Sequence, residues 1–113
     1  MALEHAESGE VFDLQPLGDQ LKSSFTRAIV KTDSFEVIRL IVHAGERIPE
    51  HKVTGAITLH CLEGRAHLEL EDSSIDLAAN DWVYLEGGVL HAVSATEDSA
   101  LLLTIFLGTP RGG

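Results

Sequence analysis

Two histidines, His51 and His91, stand at comparable places in two stretches of this 113-residue chain. The stretches are residues 45–64 (GERIPEHKVTGAITLHCLEG) and residues 80–91 (NDWVYLEGGVLH), and each carries a turn near its histidine. They are the one matched pair of polar groups in the sequence. Two imidazoles brought together can ligate a divalent metal, hold an anion or a carbonyl, or pass a proton. If they lie close, one resists protonation while the other is charged, and their titrations couple. The single thiol, Cys61, forbids an internal disulfide and suits a reducing compartment.

The elements that must position these groups read as strands. Candidate strands fall at 11–14, 24–31, 35–43, 56–62, 65–71, 74–77, 82–85, 91–95 and 101–107. Turn chemistry separates them, including Thr32-Asp33-Ser34, Ala44-Gly45, Glu63-Gly64, Asn80-Asp81 and Glu86 to Gly88. Residues 19–24 allow one helical turn at most, because no apolar residue recurs at helical spacing before the next strand. Short strands with turn signals every eight to twelve residues argue an all-β sandwich or barrel.

Periodicity adds the faces. In 65–71, Ala66, Leu68 and Leu70 share one side while Arg65, His67, Glu69 and Glu71 share the other, so one face is wet. The stretches 35–42 and 101–107 are apolar on both faces, which asks for cover beyond one small sandwich. A homodimer is the expectation. Trp82 and Tyr84 share a face and read as core or dimer contacts. His43, His60 and His67 read as surface or interface residues, and the acidic run from Glu69 to Asp72 with Asp76 as a solvated edge.

Composition bounds the partners. A 44% hydrophobic, 23% charged chain of this length makes one soluble domain over 11–108, with an N-terminal arm over 1–10 and a tail over 109–113. A formal charge of −10 opposes nucleic acid and anionic membranes as partners, since both reward Lys and Arg. The acidic start, MALEHAESGE, lacks the basic region and apolar core of a signal peptide, so the expected location is cytoplasmic.

Over residues 35–106 the sequence resembles the cupin family of small jelly-roll barrels. The family's first motif is glycine, five residues, His-x-His, three or four residues, glutamate, six residues, glycine. Gly45, His51 and Gly64 match it, while Val53 stands at the second histidine and Ile57 at the glutamate. In the second motif Asp81, Gly88 and His91 match, while Asn80, Glu86 and Ala95 replace glycine, proline and asparagine. The resemblance implies an all-β double-stranded β-helix. It also implies a metal site reduced from four ligands to two, His51 and His91.

Two imidazoles should hold zinc, nickel, iron or manganese weakly, because catalytic sites usually offer three protein ligands and structural ones four. His60 lies an odd number of residues from Ile57 and faces away. Cys61 shares a face with Ile57 and Leu59 and is the better-placed soft ligand, though a buried structural thiol is the favoured reading. Val53, Ile57, Leu59 and Cys61 then give an apolar wall facing two histidines, the make-up of a small-molecule pocket. Two functions follow. One is a non-catalytic cupin that binds a small metabolite. The other is an enzyme: a metal-dependent dioxygenase or isomerase, or a metal-free epimerase or isomerase with a histidine base. The sequence places no acidic partner beside either histidine to orient a base, which favours binding.

Overall fold

Strict alternation in residues 57–61 builds the centre of the molecule. Ile57, Leu59 and Cys61 point inward and are buried, whereas Thr58 and His60 point outward and are half-buried. The same alternation runs through the neighbouring strands. The computed structural model describes residues 5–107, so the tail expected over 109–113 lies outside it, as does the start of the arm. Nine strands occur among the described residues: β1 (Arg27–Lys31), β2 (Phe35–Val42), β3 (Arg47–His51), β4 (Ile57–Glu63), β5 (Arg65–Glu69), β6 (Ser74–Ala78), β7 (Trp82–Leu85), β8 (His91–Ala95) and β9 (Ser99–Phe106). The helical element is one 3-10 stretch, Gly18–Ser23.

All pairings are antiparallel. One sheet runs β1-β2-β9-β4-β7 and the other β3-β8-β5-β6. Facing each other, they enclose a core that includes Val42, Ile57, Leu59, Cys61 and Leu101 from the first sheet and Ala66, Leu68, Leu77 and Val93 from the second. This is the all-β double-stranded β-helix that the motifs imply. A second, smaller cluster forms where Leu17 and Leu21 of the 3-10 segment cover Ile41, Leu62 and Ala100 on the outside of the larger sheet.

Two elements differ from the sequence reading. Residues 11–14, expected as a strand, form none: Val11 is 90% exposed and the segment joins neither sheet. Residues 47–51, which read as turn and loop, form β3. Pro49 would disfavour a central strand, but β3 lies at a sheet edge, where a missing N–H costs no ladder bond. Arg47 forks onto Glu69, two strands away, with Nη2 to Oε1 at 3.0 Å. That hydrogen bond holds the Glu69 carboxylate below its ordinary pKa. The pair is exposed and screened, so it steadies the edge more than it stabilises the fold.

Outer positions of β2 and β9 are only partly covered. Val37, Leu102 and Thr104 are half-buried, while Phe106, Trp82 and Tyr84 are exposed at 45%, 59% and 52%. Within one chain, the second face of these apolar strands is covered at Ile41 and Ala100 and left partly open elsewhere.

Candidate functional site: a histidine pair at the barrel mouth

The site begins with an irregularity in β3. Ile48 pairs with Val93 and His51 pairs with His91, so three steps along β3 match two along β8, leaving one extra residue in β3. Ile48 packs on the core. By simple alternation His51 would then face away from it. The bulge at Pro49-Glu50 reverses the parity and brings His51 to the side of His91. Their ring centroids stand 4.5 Å apart with planes at 55°. His91 is 4% exposed, whereas His51 on the edge strand is open to solvent.

Each ring is oriented by its own chain. His51 Nδ1 lies 3.2 Å from the Pro49 carbonyl and His91 Nδ1 lies 2.9 Å from the Val89 carbonyl, the same two-residue step back in both cases. A carbonyl oxygen only accepts, so each Nδ1 carries the proton and donates it. Each neutral ring therefore keeps its lone pair on Nε2. Among the described residues no carboxylate pairs with either ring.

The two motif stretches are also tied through the backbone. Gly88 N–H donates to Val53 O at 2.8 Å, and Gly45 N–H donates to Ala95 O at 2.9 Å. A surface pocket of about 420 Å³ opens beside the first of these ties, lined by Lys52, Val53, Thr54, Gly87 and Gly88. Val53 thus borders both this pocket and the core, while Ile57 and Leu59 are packed within the core.

Cys61 lies four residues further along β4 than Ile57, roughly 13 Å at ~3.3 Å per residue. Its fully buried thiol donates to the carbonyls of Glu63 and Gly64 at 3.5 and 3.7 Å. Burial pushes its pKa up, which keeps it a neutral thiol. The structure therefore brings His51 and His91 together and leaves Cys61 along the strand from Ile57. His60 is on the outer face opposite Trp82, and His67 pairs with Asp76 at 2.5 Å on the wet face of β5.

Sequence reasoning missed the device that aims His51. Its signal was Pro49, a residue that within a strand marks an edge or a bulge.

Two facing antiparallel sheets with a histidine pair joining the two motif strands define a cupin-type β-barrel. The cupin domain family matches over residues 38–106, most of the chain, and the protein belongs to that family. Searching curated proteins gives no match.

Solved structures share the fold. A conserved protein of unknown function from Streptococcus pyogenes superposes with a TM-score of 0.74 at 18% identity, covering 96% of this chain and 99% of its own. A cupin superfamily protein from Desulfitobacterium hafniense gives 0.71 at 20% identity over 74% of this chain and 77% of its own. An RmlC-like cupin from Methanocaldococcus jannaschii gives 0.71 at 17% identity, covering 87% and 93%. At these identities the likeness concerns the fold alone.

The family's four-ligand metal site does not fit these residues. Val53 and Ile57 offer no donor atoms, and among the described residues no group of three or more His, Cys, Asp or Glu side chains converges.

Proposed function

We propose that this protein is a small-molecule-binding cupin whose ligand is held at the barrel mouth by His51 and His91. The observation that carries the reading is the shared tautomer. Two Nε2 lone pairs suit a ligand that donates hydrogen bonds, such as a hydroxyl or an amine. A divalent ion such as zinc, nickel, iron or manganese can share the two nitrogens, weakly, because two ligands are fewer than resident metals require. Anions and carbonyls would need at least one ring protonated.

The enzyme reading is less well supported. Both rings are oriented by carbonyls, which leaves an imidazolium formed during proton transfer without a carboxylate to stabilise it. Metal content before and after dialysis against a chelator, on protein purified without a histidine tag, tests the proposal. We expect less than stoichiometric metal before dialysis and almost none after it. One equivalent surviving the chelator would require a third ligand and would put a metal enzyme ahead of a binding protein.

The same reading includes a second copy of the chain. The outer face of β9, β4 and β7 presents Leu102, Phe106, Trp82 and Tyr84, and the acidic residue among its strand positions, Glu63, is taken up by the Leu17 and Gly18 N–H groups at 2.9 Å, although the chain bears a charge of −10. It is therefore a surface on which two strongly acidic copies can meet without like-charge repulsion, and exposed apolar patches of this kind mark interfaces. Light scattering at micromolar concentration should give twice 12.2 kDa. Trp82→Glu should return the monomer mass, whereas a wild type at the monomer mass would contradict the dimer.

A further inference from the structure

Arg27 and Arg39 are direct partners across the β1-β2 hairpin, so their side chains leave the same outer face of the larger sheet. Like charges directly opposite each other on neighbouring strands repel. Here both guanidinium groups also lie over one ring, that of Phe12, with their central carbons 5.1 and 5.6 Å from its centroid. An aromatic face attracts each cation and fixes the plane of its donors, but it supplies no hydrogen-bond acceptor.

Arg39 is the telling member. Among the described residues nothing accepts a hydrogen bond from its side chain, its Nε is buried, and no carboxylate lies within ion-pair distance, in a chain with 18 Asp and Glu. Half-buried arginines in an acidic protein ordinarily find a carboxylate. Beside the pair lies a cleft of about 560 Å³, lined by Phe12, Asp13, Gln15, Gln20, Arg27 and Arg39 among others. The Asp13 carboxylate in this cleft is engaged with the Gln15 N–H at 2.9 Å.

We propose that this cleft is an oxyanion site, in which the planar donor fork of Arg39 receives the carboxylate or phosphate group of a small molecule. A guanidinium presents parallel N–H groups that match two oxygens of either group. Phe12 preorganises the Arg39 fork, and Gln15 and Gln20 offer amide groups for the rest of the ligand. The cleft sits at the β1-β2 edge of the sheet, away from Trp82 and Tyr84 on β7, and on its outer side, separated from the histidine pair by the core.

The test is calorimetric titration of the full chain at constant ionic strength with inorganic phosphate, with acetate and with chloride. One saturable site for phosphate or acetate is expected, and whichever is at least about tenfold tighter identifies the group recognised. Arg39→Lys keeps the charge but removes the fork, and should weaken that binding by about tenfold or more. Asp13→Asn removes a competing charge and should bind at least as tightly as wild type. The proposal is overturned if neither oxyanion saturates, if chloride binds as well as the oxyanions, if Arg39→Lys binds like wild type, or if Asp13→Asn loses tenfold.

Discussion

Val53→His combined with Ile57→Glu should turn a weakly binding barrel into one that depends on metal for its stability. Ile57 is 2% exposed and packed in the core, so the replacement carboxylate would be taken out of water with no partner. Removing a charge from water without a partner costs several kcal/mol, and the metal-free variant should melt more than about 10 °C below wild type. Zinc reverses this by giving the carboxylate and three imidazoles a shared cation. At a thousand times its dissociation constant, a ligand specific for the folded state adds about 4.1 kcal/mol. Wild-type protein, with two imidazoles, should gain far less. Thermal melts of both proteins with chelator and with excess zinc make the comparison, and equal zinc shifts would show that residues 53 and 57 do not border the histidine pair.

Gly64→Ala should be among the most damaging single methyl additions in the chain. Gly64 has φ near 80°, a region that costs an L-residue about 1–2 kcal/mol. A Cβ there would also stand 2.2 Å from the Asp98 carbonyl oxygen and 2.5 Å from Ser99 Oγ, so backbone would have to move. Ser99 is fully buried and its hydroxyl is a junction: it accepts from Arg65 N–H at 3.0 Å and lies 2.9 Å from the Glu97 carbonyl. Displacing it leaves the Arg65 N–H unpaired, at about 1–3 kcal/mol more. The loss should reach about 3 kcal/mol or more by urea denaturation. Gly88→Ala is the control, because φ is 83° there but nothing lies within 4 Å of the added carbon, so it should lose only about 1 kcal/mol. Equal losses would mean that strain alone, and not the contact with Asp98 and Ser99, sets the requirement for glycine.

What could be read from the sequence follows from where its local rules are obeyed. The stretches 82–85 and 91–95 coincide with β7 and β8, and the outward turn of His60 follows from unbroken alternation between Ile57 and Cys61. Alternation fails as a guide at β3, where Pro49 and the extra residue change the parity. Motif spacing still indicated His51, but only the bulge explains how it reaches His91. The ring tautomers were not legible at all, because they depend on where the Pro49 and Val89 carbonyls point. Arg27 and Arg39 were equally hidden. Their meeting needs the β1-β2 register, including its irregularity near Ile29, and a ring from a segment that the sequence presents as a short strand.

Ligand binding at the barrel mouth needs two neutral histidines that each keep a lone pair on Nε2. Nitrogen-15 spectra of the imidazole rings, assigned with His51→Gln and His91→Gln, test this most directly. At a pH where the rings are neutral, both should show a protonated Nδ1 and an unprotonated Nε2, and added zinc should shift the two Nε2 signals together. Either ring protonated at Nε2, or zinc shifting one ring and sparing the other, would contradict a site built on the pair.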